Sequence, residues 1–257
     1  MKQLLICSIA MLLLCLGPVL AADKPAEPKG QPEKSTRQYA TPPQTVALAT
    51  DYLEQTGFIL NWITTGVFPN PGGRVRWDDP MPPDINEREV NFDKDFLTAV
   101  GGEKDVKPEL GAKLLDNDGK PISWGMINGE PHAGYVDMQK YYDAQGKKTI
   151  QVIGYLVCFL NSDKEQRVIF SLGTDDGYKL WVNGEFVIAN HTHRGAVVDD
   201  DPVPVTLRKG VNMVLLKVSQ DSGGWGAVAR VVGKDFVPAT GVTVLAYPQQ
   251  GETDHAK

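Results

Sequence analysis

The chain has 257 residues, 42% of them hydrophobic and 23% charged, and a formal net charge of −6. That is an ordinary globular balance. The acidic sign, with no interleaving of Lys/Arg and aromatic residues, excludes a nucleic-acid binder built on a basic stripe. The length suits one large β domain or two small ones.

The N-terminus reads as an export signal over residues 1–21. Lys2 supplies a positive start, Leu4 to Leu16 is an uncharged apolar run, and Val19-Leu20-Ala21 is a small-residue cleavage site. The apolar run is short for a bilayer span and no stop-transfer pattern follows, so cleavage leaves no transmembrane segment. The expected location is therefore periplasmic, cell-surface or extracellular. Losing the single charge of Lys2 takes the net charge from −6 to −7. Cys7 and Cys15 leave with the signal, and Cys158, inside "GYLVCFL", remains. One cysteine builds no disulfide framework, and an apolar run suits it as a small buried hydrophobe.

Residues 22–44 are rich in Pro, Lys and Glu and nearly free of large apolar side chains. Such a segment buries too little surface to offset its ordering entropy and reads as a disordered linker. Val46 to Gln55 reads as a helical turn or two. The folded domain then spans 45–248, with a disordered tail at 249–257. "FILNWITTGVFPNPGGR" predicts a strand ending in a Pro/Gly loop. In "NFDKDFLTAVGG", Phe92, Phe96, Leu97 and Val100 stand at near-helical spacing before two glycines, which predicts a short helix with a C-terminal stop. "PISWGMI" and "GYVDM" suit short strands.

From Thr149 the pattern is regular. "TIQVIGYLVCFL", "RVIFSLG", "YKLWV", "EFVIA", "VPVTL", "NMVLLKVS", "AVARVVG" and "VTVLA" are short, β-branched and aromatic-rich, with turn residues between them. Asn183-Gly184 is a strong hairpin signal, because both residues accept the positive φ angles of a tight primed turn. The expected fold is all-β: an antiparallel β-sandwich of the jelly-roll type, with a loop-rich N-terminal elaboration and a short helix.

Several residues are candidates for chemistry. Asp175 and Asp176 precede Gly177, and this suits either an oxygen-ligand cation site or a plain Asp-Asp-Gly turn. A second acidic run, Asp199-Asp200-Asp201, lies downstream, and Asn183 and Asn190 offer further oxygens. His191 and His193 are two apart, so a strand would turn both to one side, as in part of a zinc or copper site. The other histidines are His132 and His255, and the alternative is a loop with hydrogen-bonding histidines. Asn190-His191-Thr192 is also a glycosylation sequon. Tyr178, Trp181 and Trp225 offer flat faces to a sugar ring or pack inside the sandwich, and Trp225 between glycines suits either. Arg194 and Arg230 suit an anionic sugar or the surface. No G-x-S-x-G, H-E-x-x-H, P-loop or haem-attachment motif occurs, so nothing here argues for an enzyme.

The core "LGTDDGYKLWVNGEFV … VPVTLRKGVNMVLLKVSQDSGGWGAVARV" resembles the jelly-roll modules of secreted glycan-processing proteins. One such group is the galactose-binding-like sandwich, including the sugar-binding domain of family-two glycoside hydrolases. It has a strand ending in V-x-V-N-G, here Leu180-Trp181-Val182-Asn183-Gly184, and a later L-x-x-G-x-N-x-L-x-V-K-V, here Leu207 to Val218 with Val214 and Leu216 at the L and V positions. The other is the protective-antigen-like lectin domain, which shares "DDG", an aromatic strand and "NG". Upstream, "WITTGVFPNPGG" and "NFDKDFLTAVGGE" resemble the opening of a larger module of secreted bacterial proteins. The resemblance spans about Phe58 to Gly233 and is specific for fold more than for ligand. It implies a non-catalytic carbohydrate-binding module acting on an extracellular glycan. The sugar-binding set would be Asp175, Asp176, Asn183, His191, His193, Arg194 and Trp225, and calcium would sit on Asp175, Asp176, Asp199 and Asp200. The lectins place further ligands in a loop after the core, where "SGGWG" offers no carboxylate. Two alternatives stand beside it: a structural or protein-interaction domain at the cell envelope, and an enzyme acting on extracellular polysaccharide.

Overall fold

A computed structural model describes residues 47–72, 76, 78–80, 89, 91–111, 114–115, 119, 121–131 and 133–245. The expected signal (1–21), linker (22–44) and tail (249–257) lie outside these residues, as do His132 and His255. Helix α1, Ala47–Thr56, leads in. It stops at Gly57, whose φ of 80° is left-handed and whose N–H donates to the Leu53 carbonyl at 2.7 Å. Strand β1, Asn61–Pro69, follows. The short pieces β2 (Leu114–Leu115), β3 (Pro121–Ile122), β4 (Gly125–Asn128) and β5 (Val136–Asp137) come next. The regular part is β6 (Val152–Ser162), β7 (Gln166–Asp175), β8 (Tyr178–Val182) and β9 (Glu185–Asn190). It continues with β10 (Asp201–Leu207), β11 (Gly210–Gln220), β12 (Gly226–Val232) and β13 (Val242–Leu245).

Two antiparallel sheets form the sandwich. One has seven strands in the order β4-β1-β6-β11-β8-β9, with β13 sharing the edge of β6 beyond β1; the other has four in the order β10-β7-β12-β5. From β6 onward the chain crosses between sheets at nearly every connection. The exception is the β8–β9 hairpin, whose Asn183 (φ 55°) and Gly184 (φ 76°) form the expected primed turn.

The centre of the large sheet is buried on both faces, so β6 and β11 read as near-continuous apolar runs without alternation. Leu156, Cys158, Leu160, Val214, Leu216 and Val218 face the small sheet, where Phe170, Leu172, Ala229 and Val231 meet them. Tyr155, Val157, Phe159, Met213 and Leu215 face the other way. Phe68 of β1 shares that face, and Phe96, Leu97, Val100, Val106 and Trp124 from the upstream elaboration cover it. The segment expected to form one helix over "NFDKDFLTAVGG" is instead a 3-10 turn, Thr98–Val100, and a four-residue helix α2, Gly102–Asp105. Gly101 (φ 104°) breaks the run between them. A third helix, α3 (Met138–Asp143), starts where Asp137 accepts a hydrogen bond from the Lys140 N–H. Among the described residues no helix is long and apolar enough to cross a membrane.

Candidate functional site

Three connections meet at one end of the sandwich: β7–β8, the long β9–β10 loop, and β11–β12. Antiparallel pairing of β8 with β11 sets Gly177 against Ser219, whose N–H donates to the Gly177 carbonyl at 2.8 Å. Asp176 therefore stands beside Asp221, although 45 residues separate them. Asp176 Oδ2 accepts from the Asp221 N–H at 2.9 Å, and Asp176 Oδ1 accepts from the Arg194 N–H at 3.0 Å. The second contact ties the β9–β10 loop to the corner and brings in His193.

His193 Nδ1 lies 2.6 Å from Asp221 Oδ2 and 3.9 Å from Asp176 Oδ2. The ring's other nitrogen, Nε2, lies 3.9 Å from Glu89 Oε1. Glu89 Oε2 meets His191 Nε2 at 2.8 Å, and the His191 ring stacks on Phe92 at 3.9 Å and 3°. The His193, Asp176, Asp221 and Glu89 side chains are all at most 3% exposed. Burial opposes the charged form of His193, but the two flanking carboxylates outweigh it and raise the imidazole to about 9. Burial and the charge of Asp221 push the Asp176 carboxyl up against the opposing pull of His193.

Arg194 is the clamp of the loop. Its Nη1 donates to Asp200 Oδ2 at 2.8 Å and its Nη2 to Asp201 Oδ2 and to Thr174 Oγ1, the latter at 3.2 Å. Burial opposes the charge of Arg194, and the hydrogen bond and charge of Asp201 more than restore it.

The four-carboxylate calcium set is not assembled. Asp199 pairs with Arg230 and Asp200 with Arg194, so neither turns toward Asp176. Asp175 Oδ2 lies against Gly224, where a Cβ would sit only 2.5 Å from it, and not in the Asp176 cluster. Asn183 is at the far end of β8 and is structural: its Nδ2 donates to Asn212 Oδ1 at 2.8 Å, and its Oδ1 accepts from the Met213 N–H at 3.1 Å. Trp225 is fully buried and offers no face to a sugar. It stacks on Tyr142 at 5.5 Å and lies over Gly154, where a Cβ would meet the indole at 2.7 Å. His191 and His193 do converge, through the Glu89 carboxylate, from a loop rather than a strand. The residues not foreseen are Glu89 and Asp221. Asp221 immediately precedes "SGGWG" and supplies the carboxylate that this stretch itself lacks.

Asp176, His193 and Asp221 form a group of ligand-type atoms lying within 4.8 Å of one another. The arrangement can hold a metal ion, or store a buried imidazolium between carboxylates.

No family model matches the chain, and no curated protein matches it. Among solved structures, the chain is similar to a family 35 carbohydrate-binding module from an environmental isolate. There the identity is 17% and the TM-score 0.28, over 37% of this chain and 72% of that one. A β-glucosidase from Kluyveromyces marxianus matches at 14% identity and a TM-score of 0.34, over 65% of this chain and 19% of that one. A PA14 sugar-binding domain from an RTX adhesin matches at 22% identity and a TM-score of 0.23, over 35% of this chain and 52% of that one.

Proposed function

We propose that the chain is an exported, non-catalytic glycan-binding module that works through the loop end of its sandwich. The observation that carries this reading is the convergence of polar groups there. The β9–β10 loop, with the first residue of β10, brings the carboxylates of Asp200 and Asp201, the guanidinium of Arg194 and the imidazole of His191 to one rim, and Thr174 of β7 holds the guanidinium there. Sugar hydroxyls both donate and accept, so a fixed mixture of carboxylate, guanidinium and imidazole suits them, and a rigid β frame holds such a mixture without an ordering cost. Asp176 serves the rim by anchoring the Arg194 backbone. The export signal at residues 1–21 and the motif resemblance over Phe58 to Gly233 agree with this reading.

The test is a panel of polysaccharides and oligosaccharides probed with the full mature chain. Binding is expected to weaken at least about tenfold in Arg194→Ala, the loss of one charge-assisted contact or more, and to persist in Asn183→Ala. A silent panel overturns the proposal, and release of reducing ends would replace it with the enzyme reading. The interaction-domain reading has one observation of its own. Edge strand β9 and the loop after it expose Phe186 (56%), Ile188, Val197 (57%) and Val198. A silent panel would leave that reading in possession.

A further inference from the structure

We infer that Asp176, His193 and Asp221 bind a divalent first-row transition ion of the zinc class. The donor atoms would be His193 Nδ1 and one oxygen from each aspartate, and Glu89 would hold the far side of the imidazole. The inference is independent of whether a glycan binds.

The first argument is the state of His193. Its side chain is 3% exposed, and neither ring nitrogen has a partner in hydrogen-bond geometry. The 2.6 Å approach of Nδ1 to Asp221 Oδ2 is close, yet it is not aligned for an N–H donor. Glu89 Oε1 is likewise buried and without a hydrogen-bond partner. A buried imidazole left in this condition costs free energy, which an ion on Nδ1 between the two aspartates would offset. Zinc bonds of about 2.0–2.1 Å put neighbouring donor atoms at about 3.3 Å in a tetrahedron. The Nδ1–Oδ2 separations of 2.6 and 3.9 Å bracket that value.

The second argument is charge. Glu89, Asp176 and Asp221 put three carboxylates in a dry volume. The nearby cations are engaged elsewhere, Arg194 with Asp200 and Asp201 and Lys179 with Asp93. Three carboxylates with one imidazolium sum to −2, and with a divalent ion on a neutral imidazole to −1, so the ion leaves less buried charge uncompensated.

The third argument is the support around the donors. Both aspartates are held by backbone or hydroxyl donors, Asp176 through both oxygens, since its Oδ2 also takes the Asp221 N–H. Asp176 Oδ1 takes the Arg194 N–H, and Asp221 Oδ1 takes the Ser222 N–H and hydroxyl. Nε2 faces Glu89, which in turn holds His191. A metal-bound histidine ligates through one nitrogen and gives its other N–H to a carboxylate, and Glu89 Oε1, 3.9 Å from Nε2, stands on that side of the ring to take it on a small approach. The imidazole also sets the class of ion, since calcium and magnesium take oxygen donors while zinc and its neighbours accept nitrogen. Three protein donors leave a position open for water or a ligand.

The experiment uses the full mature chain, stripped with chelator and dialysed. Zinc and cobalt(II) titrations should each show one equivalent bound, with Tm rising as free metal exceeds Kd. Cobalt bound at the site should give visible absorption of a nitrogen- and oxygen-ligated centre. X-ray absorption on the zinc form should show an imidazole in the shell. His193→Ala should lose at least about a hundredfold in zinc affinity and Glu89→Gln about tenfold or more, while Asp199→Asn should bind as wild type does. If His193→Ala does not fold, the wild-type absorption spectrum decides alone. Absence of zinc and cobalt binding overturns the inference, as does a zinc shell without imidazole. So would calcium binding that Asp199→Asn abolishes. None of these results depends on the glycan panel.

Discussion

Lys217 sits on the outer face of β11 with its side chain fully buried. Its ammonium donates to the Lys94 carbonyl at 2.7 Å and meets Glu103 Oε1 at 2.8 Å, and the Tyr155 hydroxyl donates to the same Glu103 oxygen at 2.7 Å. Burial lowers the Lys217 pKa and Glu103 resists the change. Replacing Glu103 with Leu strands a buried ammonium and should cost about 3–5 kcal/mol. At about 2–4 °C per kcal/mol for a domain of this size, Tm should fall by roughly 6–20 °C. Adding Lys217→Met removes the stranded charge, so the double variant should regain at least half of the loss. The Tyr155 hydroxyl, left without its acceptor, should account for about 1–3 kcal/mol of what remains. The pH sign is also set. With the folded pKa of Lys217 below its unfolded value, the unfolded chain binds more protons between the two, so stability rises with pH in that window. The Glu103→Leu deficit should therefore shrink from neutral pH toward about 10. Urea unfolding followed by tryptophan fluorescence measures all three variants. A loss below about 1 kcal/mol in Glu103→Leu, or a double variant equal to the sum of the singles, would refute the reasoning.

Trp225→Ala should cost about 3–5 kcal/mol in urea unfolding, as for a buried aromatic, and a wild-type stability would mean the indole is not packed as described. Gly173→Ala would place a Cβ 1.8 Å from the Val197 carbonyl oxygen. It should destabilise by about 1–3 kcal/mol and weaken glycan binding by displacing the β9–β10 loop; unaltered binding would count against that loop as the rim. Burial raises the Asp201 carboxyl, but the Arg194 hydrogen bond and charge outweigh it and leave it below its ordinary value. Its contribution is thus present above the unfolded pKa near about 3.9 and lost as pH falls through the folded one. Arg194→Met should flatten Tm against pH on that acid limb, and an unaltered slope would remove the pair from the account. Asn183→Ala should lose about 1–3 kcal/mol, having neither the positive-φ tolerance nor the Asn212 and Met213 contacts, and chemical denaturation would show it.

The strands from Val152 onward were legible because β-branched runs and Asn-Gly punctuation are local signals; which of them pair is not local and came only with the structure. The helix expected over residues 91–102 was read from apolar spacing alone. Phe96, Leu97 and Val100 are spaced to reach the outer face of the large sheet while Phe92 stacks on His191, and the left-handed Gly101 ends any helix there. The site was only half legible. Asp176 and His193 stood out by composition, but their partner Asp221 is set by the register of β8 against β11, which no short motif encodes. Asp199 and Asp200 misled for the converse reason: adjacent acids look like ligands until the arginines that neutralise them, Arg194 and Arg230, are placed in space. Trp225, flanked by glycines, looked like an open edge; Gly154 on β6 in fact makes room for the indole to lie flat inside.

The double-sided burial at the centre of the large sheet makes it a party wall. A shortened chain beginning at Thr149 would keep every strand of the regular pattern and still expose Tyr155, Phe159, Trp181, Met213 and Leu215 on one continuous face, with Lys217 stripped of both its partners. The upstream segment with little regular structure is therefore the other tenant of that wall. Any attempt to transplant this module, or to trace its ancestry by strand pattern alone, has to carry residues 58–128 along with the sandwich.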